Sequence, residues 1–350
     1  MDNPLELVIN KCIINNIPFV VFQKPFEQDL TFFSNPSDCQ FLRNNSTYFS
    51  IVDFNSKISN GFKIFAELDI KQTLDYCNNC HSFHSPSKNI PCQESTQLND
   101  YVTQVNYILD ELHRVEGKVV LSKVTCGQHN LTNFYNLITK YFSLFENSFR
   151  YLYYTPKTGC WIGASPEILL KFDASSHLLH TMSLAGTRIY DKENKPWDLK
   201  NTEEHNYVTQ YIVNQLSKFG LDVKVSSEEN LKFGDIEHLC HRISAKGVSI
   251  EQVENILDEL SPTPALAGYP LKNALDTIFA LERHERKCYG GYVSIWDKNN
   301  VDAYVNIRCA NFDTNHFCIY SGGGLTKDSI STEEWEETEN KIKRLKELFI

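Results

Sequence analysis

Over residues 1–95, short apolar runs alternate with polar turns. Phe19–Phe22, Tyr48–Val52 and Phe62–Phe65 are rich in aromatic and β-branched residues, which predicts strands and hairpins. Longer stretches with apolar positions three and four apart follow. They predict helices at Asp100–Arg114, at Asn130–Phe145 and from about Lys200 to Lys218, the last with Tyr207, Ile212, Val213 and Leu216 on its apolar face. Strands are expected at Lys118–Val124, Arg150–Tyr154 and Cys160–Ile162, and again at Tyr292–Trp296, Ala303–Ala310 and Phe317–Tyr320. A glycine turn and a terminal helix close the chain. Strands grouped in meanders between helices, instead of alternating with them, predict an α+β fold. No repeat or Gly/Ser linker divides the 350 residues, so we expect one large domain over 1–350.

Composition narrows the function. With 41% hydrophobic and 22% charged residues the chain is neither disordered nor of low complexity. A net charge of −10 repels phosphate backbones, so nucleic acid is not an expected partner. The apolar run near the start, Ile17–Phe22, falls far short of the roughly 20 residues that span a bilayer, and Asp2 and Glu6 stand where a signal peptide carries basic residues. We therefore expect a cytoplasmic protein without membrane association. In that setting the 11 cysteines are expected to be reduced thiols.

Three local patterns could carry chemistry. Cys77-Asn78-Asn79-Cys80-His81 has the spacing of a c-type haem attachment site, and His84 and Cys92 could complete a zinc set. Haem attachment requires export and no second pair stands at finger spacing, so we read a polar surface loop with free thiols. Glu333, Glu334, Glu336, Glu337 and Glu339 crowd the start of the terminal helix. Acids there favour the helix dipole, and Ser331 with Glu334 has capping-box spacing, but five acids exceed that need. Glu334 and Glu337 at i and i+3 can face one point, as a hard cation requires, and Glu203-Glu204 is a second acidic pair. Ser321-Gly322-Gly323-Gly324 would let backbone N–H groups approach an anion, although neither a Walker A loop nor GxGxxG is present.

Taken in order, further segments make a more specific series. Lys118-Val119-Val120-Leu121-Ser122, Gly163-Ala164-Ser165-Pro166-Glu167, Leu184-Ala185-Gly186-Thr187-Arg188 and Leu260-Ser261-Pro262-Thr263-Pro264-Ala265 are followed by Ile307-Arg308-Cys309-Ala310, Gly322–Gly324 and Glu334-Trp335-Glu336-Glu337-Thr338. The series resembles the chorismate-utilising enzymes: the isochorismate, salicylate, anthranilate and aminodeoxychorismate synthases. It covers roughly residues 100–348, and residues 1–95 correspond to the family's variable half. The resemblance implies a fold of antiparallel sheets with outer helices, like that of anthranilate synthase component I. It also implies Mg²⁺ as cofactor, held by Glu204 and Glu337 with Glu334 close by. Arg308 would bind the enolpyruvyl carboxylate with its planar fork. Gly186, Thr187, His238, Ala265, Tyr289, Gly322 and Lys341 are the remaining substrate contacts that it implies.

Two positions select within the family. Relatives that install water carry Lys at the position of Lys118, where those that install ammonia usually have Gln; a neutral Lys amine can take a proton from water. Glu167 is implied as the acid that protonates the departing C4 hydroxyl. Ala185 stands where aminodeoxychorismate synthases carry a nucleophilic Lys, which closes that covalent route. The chain departs from the family pattern at Lys123 for Arg, His241 for a hydroxyl residue and Ser261 for His. The expectation is thus a Mg²⁺-dependent isochorismate synthase acting on chorismate, serving menaquinone or siderophore synthesis, with menaquinone preferred. Salicylate synthase and a non-catalytic chorismate-binding protein are the alternatives. No glutamine amidotransferase subunit is expected, and the assembly is expected to be a monomer or weak dimer.

Overall fold

The computed structural model describes residues 3–36, 47–79, 93–131, 133–190, 195–233 and 236–350. Two antiparallel sheets form its frame. The first runs edge to edge as β13 (Gly268–Tyr269), β5 (Lys118–Gln128), β17 (His316–Leu325), β16 (Cys309–Phe312), β7 (Gly159–Ser165), β6 (Phe149–Thr155), β1 (Phe19–Gln23) and β2 (Thr31–Ser34). The second runs as β10 (Asp222–Val225), β12 (Ile236–Lys246), β9 (Leu178–Ile189), β8 (Ile168–Asp173), β15 (Asn300–Val305), β14 (Tyr292–Trp296), β3 (Tyr48–Val52) and β4 (Phe62–Phe65), with β11 (Glu229–Phe233) also paired to β12.

Central strands are buried on both faces, which explains why runs such as Phe19–Phe22 are continuously apolar. Val20, Phe22, Tyr151, Tyr153 and Trp161 of the first sheet share one core with Phe49, Ile51, Tyr292 and Tyr304 of the second. Phe19, Val21, Leu152 and Tyr154 face the other way, against α1 (Pro4–Ile14), α4 (Phe134–Leu144) and α8 (Ser331–Lys346). α2 (Ile70–Asn79) packs on α1. α3 (Leu98–Leu112) and α7 (Leu271–Leu281) cover β5, while α5 (Leu199–Lys218) and α6 (Ile250–Leu260) cover the second sheet. The α+β class and the outer helices agree with the sequence-based expectation.

Several local expectations differ. The N-terminal region contains α1 and α2 besides its strands. α1 opens with Asn3 as N-cap and Pro4 in the first turn, and buries Leu5, Val8, Ile9 and Cys12 at helical spacing. The strand expected over Ala303–Ala310 is two strands, because β15 belongs to the second sheet and β16 to the first. Gly322–Gly324 forms no turn: it lies inside β17, paired with Ser122, Leu121 and Val120 of β5. Cys77 is buried in α2 and not in a surface loop, whereas Cys80, His81, His84 and Cys92 lie outside the described residues. Cys126 and Cys318, opposite one another on β5 and β17 with Cα atoms 4.2 Å apart, are joined in a disulfide; the expectation of thiols throughout does not hold there. Among the described residues, no helix is long and apolar enough to cross a membrane.

The chain passes from β15 to β16 through Asn306, Ile307 and Arg308, and the buried Asn306 side chain fixes this crossing. Its Oδ1 accepts from the Tyr151 hydroxyl at 2.7 Å and its Nδ2 donates to the Cys288 carbonyl at 2.9 Å. Asn306→Ala leaves both partners buried without their bond, at about 1–3 kcal/mol for each. Urea unfolding should show that loss, and Tyr151→Phe, which orphans one acceptor only, should cost less.

Candidate active site

Two short crossings between the sheets build the site. β7 leaves the first sheet at Ser165, Pro166 and Glu167 turn the chain, and β8 enters the second sheet at Ile168. The return crossing is Asn306–Arg308, and the two are tied together where the Val305 N–H donates to the Glu167 carbonyl at 3.1 Å. Away from the ladders, both crossings aim side chains into the space between the sheets. A cavity partly open to solvent lies there. Its wall contains Glu167, Gly186, Thr187, Glu204, His238, Ala265, Tyr289, Arg308, Gly322 and Lys341, all of them residues singled out from the sequence.

Lys118 opens β5 and is fully buried, with its Nζ 2.9 Å from Glu204 Oε1. The glycines of β17 make that pair possible. A Cβ on Gly324 would collide with Glu204 Oε1 and come within 2.8 Å of Lys118 Cε. A Cβ on Gly322 would lie 2.9 Å from the Tyr289 hydroxyl, and one on Gly323, on the opposite face, 2.9 Å from Glu334 Oε2. Side chains from four other segments thus occupy the space that β17 leaves vacant.

Burial sorts the protonation states. Desolvation pushes the Glu167 carboxyl up to about 8, against the opposing pull of Lys118, so it holds its proton at neutral pH. His238 is pushed down to about 3 by burial and by the positive charges of Arg308 and Lys341, so its imidazole is neutral. Its Nδ1 lies 2.9 Å from the Gly186 carbonyl and 3.2 Å from the Thr187 hydroxyl; the carbonyl can only accept, so Nδ1 carries the hydrogen. Burial lowers Arg308 to about 10, and the guanidinium stays charged. Arg308 has a left-handed backbone, φ 48°, and the Tyr141 hydroxyl donates to its carbonyl.

Other positioning residues carried no local signal in the sequence. Asn201, in the first turn of α5, accepts from the Thr187 N–H at 3.0 Å and is itself held by Asp198, the N-cap. A Cβ on Gly186 (φ 72°) would sit 3.2 Å from the Asn201 side chain, a tight contact in a backbone conformation that side chains rarely adopt. Such contacts join distant segments and leave no periodicity behind.

The terminal acids divide among separate tasks. Glu334 is buried beside Gly323, and Glu339 pairs with Lys123, whose ammonium also lies 3.8 Å from the centre of the Trp335 ring. Glu337 binds Lys341 at 2.7 Å in an adjoining cleft that shares Thr187, Arg308 and Lys341 with the cavity, and Lys341 donates to the Gly322 carbonyl at 2.9 Å. Glu204, Glu334 and Glu337 do not form a close three-ligand cluster; among the described residues that geometry belongs to His205, Glu228 and His241. As donors, Glu204 and Glu337 nonetheless suit a hard cation, which takes carboxylate oxygens, and each is already paired with a lysine side chain.

Two antiparallel sheets thus enclose a cavity whose wall holds a buried acid and an arginine, with the buried Lys118 paired to the wall residue Glu204 and lining a separate pocket. Over residues 33–349 the sequence matches the family of chorismate binding enzymes, and the chain belongs to that family. Isochorismate synthase EntC of Escherichia coli (strain K12) is 30% identical to it over 217 residues, 58% of this chain and 55% of the relative. Anthranilate synthase component 1 of Neisseria gonorrhoeae (strain ATCC 700825 / FA 1090) is 30% identical over 195 residues, 52% of this chain and 39% of that one. The chain thus spans roughly half, or less, of the length of these curated relatives. The structure of MenF, the menaquinone-specific isochorismate synthase of Escherichia coli, covers 100% of this chain and 92% of its own with a TM-score of 0.80. At 19% identity that likeness is one of fold.

Two measurements test the geometry. Gly324→Ala should leave the fold intact by circular dichroism yet displace the Lys118–Glu204 pair, with a loss of ligand affinity or turnover on the order of 10²-fold; unchanged function would show that the pair tolerates a Cβ. Folded Glu167 keeps a proton that the unfolded chain releases near 4.5, so its contribution to stability is complete below 4.5 and is lost as pH rises to about 8. Glu167→Gln should therefore gain in Tm relative to the parent across that window and level off above it, and a pH-independent difference would place the carboxyl in a wetter setting.

Proposed function

We propose that the protein is an isochorismate synthase, converting chorismate to isochorismate in a Mg²⁺-dependent reaction, and that menaquinone synthesis is its setting. The observation that carries this reading is a buried Glu167 in the cavity wall that stays protonated at neutral pH, together with the buried Lys118, which pairs with the wall residue Glu204 at 2.9 Å. Water addition at C2 with loss of the C4 hydroxyl needs one group to take a proton and another to give one. Lys118, as the free amine, takes a proton from the water entering at C2. The two ring double bonds shift along the ring, the C4–O bond breaks, and Glu167 protonates the departing oxygen. One water is consumed and one released, so the reaction is an isomerisation.

Arg308 supplies a planar charged fork for one substrate carboxylate, and its fixed backbone limits where that fork can point. Lys341, held by Glu337 and the Gly322 carbonyl, adds positive charge on the same side. Gly186 and Thr187 offer backbone groups whose placement depends on His238 and Asn201. Glu204 and Glu337, with Glu334 nearby, would hold the metal, which when bound neutralises the second carboxylate and serves as a template. Ala185 offers no nucleophile at the cavity wall, consistent with direct attack by water.

Purified protein incubated with chorismate and Mg²⁺, with and without EDTA, should yield isochorismate that disappears on chelation when products are resolved by chromatography. Salicylate with stoichiometric pyruvate would move the assignment to salicylate synthase, and no conversion would leave a chorismate-binding role. Lys118→Ala should lower turnover by about 10²–10⁴-fold while chorismate affinity, measured by calorimetry, changes little; undiminished turnover would remove Lys118 as the base.

A further inference from the structure

His205 follows Glu204 in α5 but takes no part in the cavity. It is fully buried, and its partners are Ser183 of β9, His241 of β12 and Glu228 just ahead of β11. The His205 Nε2 lies 3.1 Å from the Ser183 hydroxyl and 3.4 Å from the Ser183 carbonyl. The carbonyl can only accept, so Nε2 carries the hydrogen and Nδ1 presents a lone pair. That Nδ1 has no hydrogen-bond partner and faces the exposed Glu228 carboxylate, with Oε2 at 3.7 Å. Two lone-pair atoms confronting one another, the His205 one buried, call for a positive charge between them.

His241 completes the set. Its Nδ1 is 3.0 Å from the Ser226 carbonyl and must donate to it, which leaves Nε2 as the ligand atom. One ligand atom from each of His205, Glu228 and His241 lies within 4.8 Å of the other two. Both imidazoles thus have their second nitrogen anchored to main-chain or hydroxyl oxygen, the outer-shell arrangement that orients metal-binding histidines.

We propose that His205, Glu228 and His241 form a site for a divalent first-row transition ion of the zinc class, separate from the cavity. Two imidazole nitrogens and one carboxylate suit zinc or cobalt better than magnesium. The two rings stack with centroids 4.8 Å apart at 15°, so binding requires a tilt of the half-buried His241 ring that keeps its Nδ1 bond to the Ser226 carbonyl. The bound ion would clamp α5, β12 and the segment before β11 together, one residue from Glu204. The same residues do not make a Ser–His–Glu nucleophile, because Ser183 is fully buried and its oxygen already accepts from Thr209 at 2.8 Å.

The test needs no substrate, so its outcome is independent of the proposed activity. Protein stripped with a chelator and desalted is titrated with Co²⁺ while visible d–d absorption is followed, then challenged with Zn²⁺, with metal content measured by mass spectrometry. A single saturable Co²⁺ equivalent displaced by Zn²⁺ is expected. Glu228→Gln and His241→Gln, both away from the deep core, should each weaken it by at least about 10–100-fold, and Glu337→Gln should leave it unchanged. Thermal melts by circular dichroism establish that the variants fold. Absence of saturable binding to the parent, equal binding by the two site variants, or loss of the signal in Glu337→Gln would each overturn the proposal.

Discussion

Lys118 and Glu204 can meet only over a strand that has no side chain beneath them, and β17 provides that strand with three successive glycines. Glycine inside a strand costs on the order of 0.5–1 kcal/mol relative to alanine. Here the cost is offset by what the vacant positions admit. Gly322 and Gly324 face the cavity and leave room for the Tyr289 hydroxyl and the Lys118–Glu204 pair, while Gly323 leaves room for Glu334 on the side of α8. Full pairing with β5, from His316 to Leu325, holds this bare segment in register. The buried Lys118, the α5 carboxylate and the terminal helix therefore all depend on one three-residue stretch of β17 being without side chains.

Charge inside the cavity follows from which groups burial can afford to leave ionised. Glu167 lies on a crossing between sheets, remote from solvent, and its neutral form is favoured even with Lys118 at hand. His238 is neutral for the same reason, reinforced by Arg308 and Lys341. Arg308 survives as a cation because a guanidinium lowered to about 10 is still far above neutral pH. A carboxylic acid, a neutral imidazole and a permanent cation thus coexist around one cavity: burial sets the first two states, and the intrinsic basicity of the guanidinium preserves the third.

Much of this was legible in the sequence. Tyr48–Val52, Phe62–Phe65 and Tyr292–Trp296 are strands with the bounds expected of them, because each is short, apolar and flanked by polar residues. The expected break at glycine failed in β17, since Gly322–Gly324 is there to make room for other segments and not to bend the chain. The run Ala303–Ala310 hid a change of sheet, because periodicity records burial and not which sheet a strand joins. The residues of the cavity wall were found through an ordered series of motifs, yet their supports were not. Asn201, Tyr141 and Asn306 act through contacts with segments far along the chain, which no local spacing encodes.

Helix α5 shows how the two kinds of information combine. The sequence pattern assigned its apolar face to Tyr207, Ile212, Val213 and Leu216, whereas the buried apolar residues are Val208, Tyr211, Ile212 and Leu216. Tyr207 instead stacks on Tyr269, with ring centres 5.3 Å apart. Extending the true stripe backwards at helical spacing reaches Asn201, Glu204 and His205, all polar. Hydrophobicity alone is blind to that end of the stripe, so the pattern there was anchored one residue away. The first turns of α5 spend their inward face on Thr187, Lys118 and Ser183, and the later turns bury the apolar residues that keep the helix seated. Glu204 and His205 are neighbours in sequence but stand about 100° apart around the helix axis. One helix can for that reason present a carboxylate to the cavity and an imidazole to a separate cluster without either set of contacts disturbing the other.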